Sequence, residues 1–307
     1  MSSRLLSPLF ALGAICLLNS CRQDTADHAP NASPPRGCVW VAEIEGSPGR
    51  LYLCGTIHIL RRTDYPLAPA YDLAYQKSQR LLFELPPGAS EAPEFASKLM
   101  ELGRYPAGQT LEPAVGPETW AKLTAWAKSR GKSTSTFQPM RPWLVSLLIT
   151  SDEFQRLGAS NSIGADQHYE ERAKSDRKPG HGLETVDFQL NLFSQLSPEQ
   201  QTLMLEQTLE EVRTMAAEYE SMVAAWKEGD LDSLHSLIHR EAEKHPELLE
   251  IFIHQRNRAW LPPLLEALKN GERVMVLVGA GHLSGPQGLL SLLREAGCRI
   301  SHANDIP

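Results

Sequence analysis

Short apolar runs that end in turn residues lie near both ends of the chain and predict a β-sheet. Residues 39–44 and 50–55 flank a Gly-Ser-Pro-Gly turn sequence, which predicts a hairpin between two strands. Residues 80–85 predict a third strand, which Pro86 stops. Residues 274–278 form the strongest strand pattern in the chain, and residues 298–301 predict the last strand.

The long middle of the chain has helical spacing instead. The predicted helices cover residues 69–77, 91–102, 117–130, 143–157, 164–173, 198–227, 231–268 and 286–296, and residues 182–185 suit a strand end. We therefore predict a mixed α/β fold whose central, mainly parallel sheet is built from both ends of the chain. Residues 37–307 form one domain in this interpretation, with a helical middle insertion at about residues 90–270.

The first residues predict export. A basic start precedes an apolar stretch at residues 5–18, which is too short to span a bilayer and suits a signal peptide over residues 1–20. Leu18-Asn19-Ser20-Cys21 resembles a lipobox, so we expect lipidation of Cys21, with residues 21–36 as a flexible tether. A simple secretory signal with an incidental cysteine is the alternative. The expected location is the cell envelope, on the periplasmic side of the outer membrane in a Gram-negative cell.

Composition and cysteine count narrow the picture. The chain has 37 Asp and Glu against 30 Lys and Arg and no basic block, so nucleic acid is not an expected partner. Cys38, Cys54 and Cys298 remain after the predicted leader and anchor. Two interpretations of these cysteines stay open. Either Cys38 and Cys54 form a disulfide across the predicted hairpin, or all three cysteines are buried free thiols.

Two similar motifs follow predicted strands at opposite ends of the chain. Gly55 begins Gly-Thr-Ile-His, which ends at His58, and Gly279 begins Gly-Ala-Gly-His, which ends at His282. Ligands bind beyond the carboxyl ends of strands in open α/β sheets, and glycine lets the backbone approach a ligand closely. We therefore predict that both imidazoles contribute to one active site, which makes an enzyme the leading interpretation.

Several acids are candidates for the same site. Glu84 lies at the end of an apolar strand, where a carboxylate is costly to bury unless it is paired or bound to metal. His58, Glu84 and His282 would make a two-histidine, one-carboxylate set for a divalent metal. Glu184 is a candidate general base or further ligand, and Asp166 is either a site residue or an ordinary first-turn acid of a helix.

A polar cluster inside a predicted helix adds Arg256 and Asn257. Arg256 is a candidate for holding an oxyanion or fixing a carboxylate, although the helix pattern taken alone favours a solvated face. His235 and His239 share another helix face with Glu243. That segment lacks the His-Glu-x-x-His order and has polar surroundings, so an ordinary solvated helix face is the favoured interpretation there.

Together these motifs resemble the TraB/GumN family, which includes the Tiki proteins of animals. The resemblance covers residues 38–300 and is carried by both Gly-x-x-His motifs, Phe83-Glu84-Leu85-Pro86, Gly164-Ala165-Asp166-Gln167, Gly182-Leu183-Glu184-Thr185 and Arg256-Asn257. It implies a mixed α/β fold with a helical insertion, and a metalloprotease activity supported by manganese or cobalt, with zinc also possible. By position, His58, Glu84 and His282 would be the catalytic or metal-binding residues.

The leading hypothesis is a membrane-anchored, metal-dependent hydrolase, most readily a peptidase acting on a peptide or protein. His58, Glu84 and His282 would hold the metal or polarise the carbonyl, Glu184 would activate water, and Arg256 would stabilise the oxyanion. Two alternatives stay open. One is a non-catalytic lipoprotein that binds a peptide or haem, and the other is an esterase that needs no metal.

Overall fold

One mixed sheet organises the protein. The computed structural model describes residues 35–238 and 246–305. Within these residues six strands form one sheet in the order β4-β3-β5-β2-β1-β6. The strands are β1 (Val39–Glu43), β2 (Arg50–Thr56), β3 (Arg80–Phe83), β4 (Gly180–Gly182), β5 (Arg273–Gly279) and β6 (Arg299–His302). Strands from the two ends of the chain are therefore neighbours in the sheet, as predicted.

The strand directions bring four strand ends to the same edge. β4, β3, β5 and β2 are parallel, and β5 pairs with β2 from Arg50 opposite Arg273 to Thr56 opposite Gly279. β1 forms the predicted antiparallel hairpin with β2 and also pairs antiparallel with β6. The carboxyl ends of the four parallel strands thus lie side by side, which is where an open α/β sheet binds ligands.

The middle of the sheet is also its core. β2 and β5 are buried along almost their whole length, including Leu51, Leu53, Val274 and Val276. Central parallel strands are covered on both faces, so their sequences are continuously apolar rather than alternating. This explains why residues 274–278 gave the clearest strand pattern.

Helices cover the sheet and fill the middle of the chain. Those described are α1 (Pro69–Lys77), α2 (Pro93–Leu102), α3 (Leu111–Ser129), α4 (Pro142–Arg156), α5 (Ala165–Asp176), α6 (Val186–Ser194), α7 (Pro198–Glu211), α8 (Met215–Glu228), α9 (Leu231–Ile238), α10 (Pro246–Leu249), α11 (Gln255–Lys269) and α12 (Leu289–Glu295). Short 3-10 turns lie at Arg62–Asp64, Thr134–Thr136, Asn161–Ile163, Ala280–His282 and Ala303–Asp305. A π-helical turn, Glu250–His254, leads directly into α11.

The predicted helices were right in kind and less accurate in extent. The predicted helix at 198–227 is two helices, α7 and α8, and the predicted helix at 231–268 contains α9, α10, the π-helical turn and α11. α3 starts before Pro117 and is interrupted at Gly116, whose φ of 77° is left-handed. No helix was predicted at residues 186–194, which form α6.

Several expectations concern the start of the chain. The predicted signal peptide, the lipidated Cys21 and residues 21–34 of the predicted tether lie outside the described residues. Arg36, at the end of that predicted tether, pairs with Asp305 at 2.9 Å. No helix among the described residues is both long and apolar enough to cross a bilayer.

The three cysteines of the folded part are free thiols. Cys38, Cys54 and Cys298 are buried. Cys38 directly precedes β1 and Cys54 lies on the neighbouring β2, and the amide N–H of Gly55 donates to the carbonyl of Cys38 at 2.8 Å. Burial raises the pKa of the Cys38 thiol to about 12 and also raises the pKa of the Cys54 thiol. Both thiols therefore stay in the uncharged, weakly reactive form.

Candidate functional site

The predicted site residues meet at the carboxyl edge of the sheet. His58 follows β2, Glu84 follows β3, Glu184 follows β4, and His282 ends the 3-10 turn after β5. The strand order makes these four strands neighbours, so residues separated by more than 200 positions come together. The Nε2 atoms of His58 and His282 lie 3.6 and 3.9 Å from the same oxygen, Glu84 Oε1.

Gly279 allows this convergence. A Cβ at this position would lie 3.2 Å from His58 Nε2 and 3.3 Å from Glu84 Oε1, closer than side chains normally approach. The N–H of Gly279 also donates to Glu84 Oε1 at 2.7 Å. Gly55 has a packing role, because a Cβ there would lie 2.7 Å from Cys38 Sγ and 3.2 Å from Ala280 Cα in the turn that ends at His282.

Arg256 is the buried cation that links the acids. Its side chain is fully buried on α11 and uses all five N–H donors. Nε and Nη2 donate to Glu184 at 3.0 and 2.7 Å, and Nη2 donates to Glu84 Oε2 at 2.5 Å. Nη1 donates to the carbonyl of Phe252 at 3.1 Å and contacts His282 Nε2 at 3.0 Å. The solvated helix face that the sequence pattern favoured is therefore wrong for Arg256.

The two glutamates near Arg256 have opposite electrostatic character. Burial opposes the charged form of Glu84, but the Arg256 guanidinium and both histidines outweigh it and hold the pKa of Glu84 well below its usual range. Burial raises the pKa of Glu184, because Arg256 offsets it only in part and Glu84 repels it. Two adjacent acids with separated pKa values are typical of sites that move protons.

Asn257 sets the protonation pattern of His282. Asn257 Nδ2 donates to the carbonyls of His282 and Gln287 at 3.2 and 2.8 Å, which leaves Oδ1 as an acceptor. His282 Nδ1 lies 2.7 Å from that oxygen and therefore carries the proton that it donates. In this tautomer Nε2 has a lone pair and accepts from Arg256.

Asp166 supports the other histidine. It lies in the first turn of α5, and its Oδ1 is 3.0 Å from His58 Nδ1. A carboxylate beside Nδ1 favours the tautomer whose proton is on Nδ1, and it stabilises the imidazolium if Nε2 takes up a proton. His58 Nε2 then faces Glu84 and the cleft described below. Asp166 is both a first-turn acid and a member of the candidate site.

Two members of the site were not found from the sequence. Gln189 on α6 contacts both acids, with Nε2 donating to Glu184 at 3.0 Å and lying 3.4 Å from Glu84. The Trp260 indole donates to Glu184 at 3.2 Å, and its ring lies 4.5 Å from that of His282. Gln189 was missed with its helix. Trp260 lies one turn after Arg256, and that spacing is the one sequence signal that could have identified it.

Arg258 and His235 have contacts outside this cluster. Arg258 is about half exposed and pairs with Glu250. His235 lies 3.4 Å from Ser284 Oγ, whereas His239 and Glu243 fall outside the described residues. Of the alternative histidine pair, the structure describes only His235, and this residue contacts Ser284.

The cluster opens onto a cleft. This cavity is lined on one side by the turn from Thr56 to Ile59 and by the turn from Gly279 to His282. α4, α8, α9 and the π-helical turn supply the other walls. Concave, largely apolar pockets with a few convergent polar groups are typical of small-molecule and peptide-binding sites.

Comparison with known proteins agrees with this arrangement of motifs. The sequence profile of the TraB/PrgY/gumN family matches residues 38–302. The chain belongs to this family. It is 27% identical over 258 residues to the uncharacterized protein YbaP of Escherichia coli K12, covering 83% of this chain and 93% of that protein. No solved structure matches the chain significantly.

A more distant relative has a described activity. The chain is 23% identical over 304 residues to Metalloprotease TIKI1 of Danio rerio, covering 82% of this chain and 60% of that protein. The name of that protein describes a metal-dependent protease and specifies neither a substrate nor an ion. The family resemblance drawn from the sequence is confirmed.

The donors that would hold the metal implied by the family resemblance are farther apart than ligands of one ion. Two imidazoles and a carboxylate are suitable ligands, but ligands of one ion at 2.0–2.2 Å lie only about 3.0–3.5 Å apart. The distances to Glu84 Oε1 are longer, at 3.6 and 3.9 Å, and Arg256 occupies the lone pair of His282. No group of three or more His, Cys, Asp or Glu side chains in the described ranges is arranged to hold an ion. The residues as arranged do not fit a metal.

Proposed function

We propose that this chain is a hydrolase of the TraB/PrgY/gumN family that cleaves peptide bonds. The supporting observation is the convergence of two histidines from opposite ends of the chain on Glu84, at the wall of a single cleft. Binding alone does not require an imidazole backed by a carboxylate or two adjacent acids with separated pKa values. The similarity to Metalloprotease TIKI1 favours a peptide over other substrates.

His58 is the proposed general base. Its Nε2 lies 3.6 Å from Glu84 Oε1, a separation that suits a water molecule in contact with both atoms. His58 would take a proton from this water as it attacks the carbonyl carbon, and Asp166 would stabilise the resulting imidazolium. The proton would then pass to the leaving amine.

Arg256 is proposed as a positioning residue. All five of its N–H groups are already used, so the arrangement leaves none for the oxyanion role predicted from the sequence. Its contacts instead fix both glutamates and the ring of His282. Asn257 and Trp260 hold His282 from two other sides.

Metal-dependent cleavage is the second candidate, favoured by the same relative and by the donor types of His58, Glu84 and His282. It requires these donors to move closer together and His282 to leave Arg256. Manganese, cobalt and zinc are the ions to test. Lipid anchoring at Cys21 and an envelope location also remain proposals that rest on the first 36 residues.

A quenched-fluorescence peptide library tests the proposal. The purified full-length chain should cleave some of its members, and His58→Ala and His282→Ala should each lower kcat/KM by about a hundredfold or more. His181→Ala is the matched control, because this histidine belongs to β4 but is exposed. Assays with EDTA and with added manganese separate the two candidates. Saturable peptide binding without any product would instead favour a binding lipoprotein.

A further inference from the structure

The cleft beside the two histidines has an apolar far wall. Phe154 on α4, Met222 on α8, Leu234 and Ile238 on α9, and Ile253 in the π-helical turn line it. No Asp, Glu, Lys or Arg is among the described residues that line the cavity. A charged group that entered would lose its hydration and meet no Asp, Glu, Lys or Arg among the described residues of this lining.

Tyr219 completes this wall without adding a free polar group. Its hydroxyl donates to Asp64 Oδ2 at 2.7 Å, and Arg61 in turn pairs with Asp64 at 2.8 Å. These contacts hold the phenol oxygen, so the ring is the part that a ligand meets. Phe154 packs against this ring with centroids 5.4 Å apart, which fixes the shape of the wall.

Thr56 lines the cleft beside the turn that carries His58, but it adds no exposed polar atom. The residue is 2% exposed, and its Oγ1 makes no hydrogen bond to any residue that the structure describes. This oxygen is itself shielded from solvent, so the surface that a ligand meets here is apolar.

We propose that this pocket binds a large aliphatic or aromatic side chain of the peptide, next to the bond that is cleaved. This inference rests on the proposed function, because the pocket adjoins His58 and His282. The apolar wall and the two turns that carry His58 and His282 line the same cavity, so a side chain held against this wall lies beside both histidines. Such a side chain would bury apolar surface against Met222 and Ile253 and leave no charge unpaired.

Matched peptides that differ only in one residue beside the scissile bond test the inference. Peptides with leucine or phenylalanine should have a kcat/KM at least about tenfold above the alanine peptide, and aspartate or lysine should be worse than alanine. Met222→Ala, which removes part of the wall, should lower the leucine-to-alanine ratio about tenfold. Val223→Ala is the control, because Val223 is a buried neighbour on α8 that does not line the cavity, and this ratio should stay unchanged.

A binding measurement separates this inference from the proposed function. Dye-labelled peptides are titrated with the full-length His58→Ala variant, and fluorescence anisotropy reports affinity without turnover. Tighter binding of the leucine peptide, without cleavage by the parent chain, would support the pocket and contradict the hydrolase. Two outcomes would contradict the proposed pocket but not the proposed hydrolase activity. One is cleavage without preference for large apolar residues, and the other is a leucine-to-alanine ratio that Met222→Ala leaves unchanged.

Discussion

Replacing Arg256 by methionine should be one of the most destabilising single changes in this protein. The guanidinium is fully buried, and its five N–H groups contact two buried acids, a carbonyl and an imidazole. Methionine fills similar space but leaves Glu84 and Glu184 as neighbouring buried carboxylates. Breaking a buried ion pair in this way costs about 3–5 kcal/mol, a large part of the total stability of a typical domain.

Urea unfolding followed by circular dichroism measures this loss. Arg258→Met is the matched control two residues along the same helix, where the side chain is 46% exposed and pairs with the exposed Glu250. An exposed pair of this kind contributes only about 0.2–1 kcal/mol. The reasoning is refuted if Arg256→Met lowers the free energy of unfolding by no more than Arg258→Met does. This comparison requires that the slope of that free energy against urea concentration is the same in both variants.

The pH dependence of the same variant gives a second test. The folded-state pKa of Glu84 is lowered, so its pairing contributes stability above its unfolded pKa, and this is lost as pH falls through the folded value. The folded-state pKa of Glu184 is raised, so the folded protein favours the protonated acid. The stability that this preference contributes is lost as pH rises through the folded value. Without Arg256 the pKa values of both acids should be raised. The variant should therefore become less stable from about pH 5 to pH 8, and its deficit relative to the parent should be smallest at low pH.

Three further changes test individual parts of the site. Gly279→Ala should fold but lower peptide kcat/KM about tenfold to a hundredfold, because its Cβ displaces His58 or Glu84; unchanged kinetics would contradict the proposed geometry. Asp166→Asn should lower kcat by about a hundredfold while circular dichroism stays unchanged, and a normal kcat would remove Asp166 from the mechanism. Thr56→Val should raise the free energy of unfolding by about 1 kcal/mol, whereas a loss of stability would show that the hydroxyl has a partner.

Local sequence signals were sufficient to predict the sheet and the carboxyl edge at which the candidate site lies. The continuous apolar run of β5 and the glycine turns after β2 and β5 identified buried parallel strands. Because carboxyl ends of parallel strands share one edge, the meeting of His58 with His282 followed from the fold class. Glu84 was recognisable because a carboxylate at the end of an apolar strand needs a partner.

The helical half of the site was much harder to predict. Whether Arg256 faces solvent or the core depends on how α11 packs, and the polar residues around it suggested the wrong face. Gln189 has no chemical signal of its own, because its role comes from the position of α6 between two acids. The break between α7 and α8 and the π-helical turn are likewise tertiary effects, since helical spacing continues through both.

A double-mutant cycle between His58 and His282 tests the central claim most directly. The claim is that the two histidines act together in one hydrolytic site. We expect each alanine variant to lower peptide kcat/KM by about a hundredfold or more, and the double variant to be little worse than either single one. Two losses that simply multiply, or a single variant with full activity, would contradict the claim.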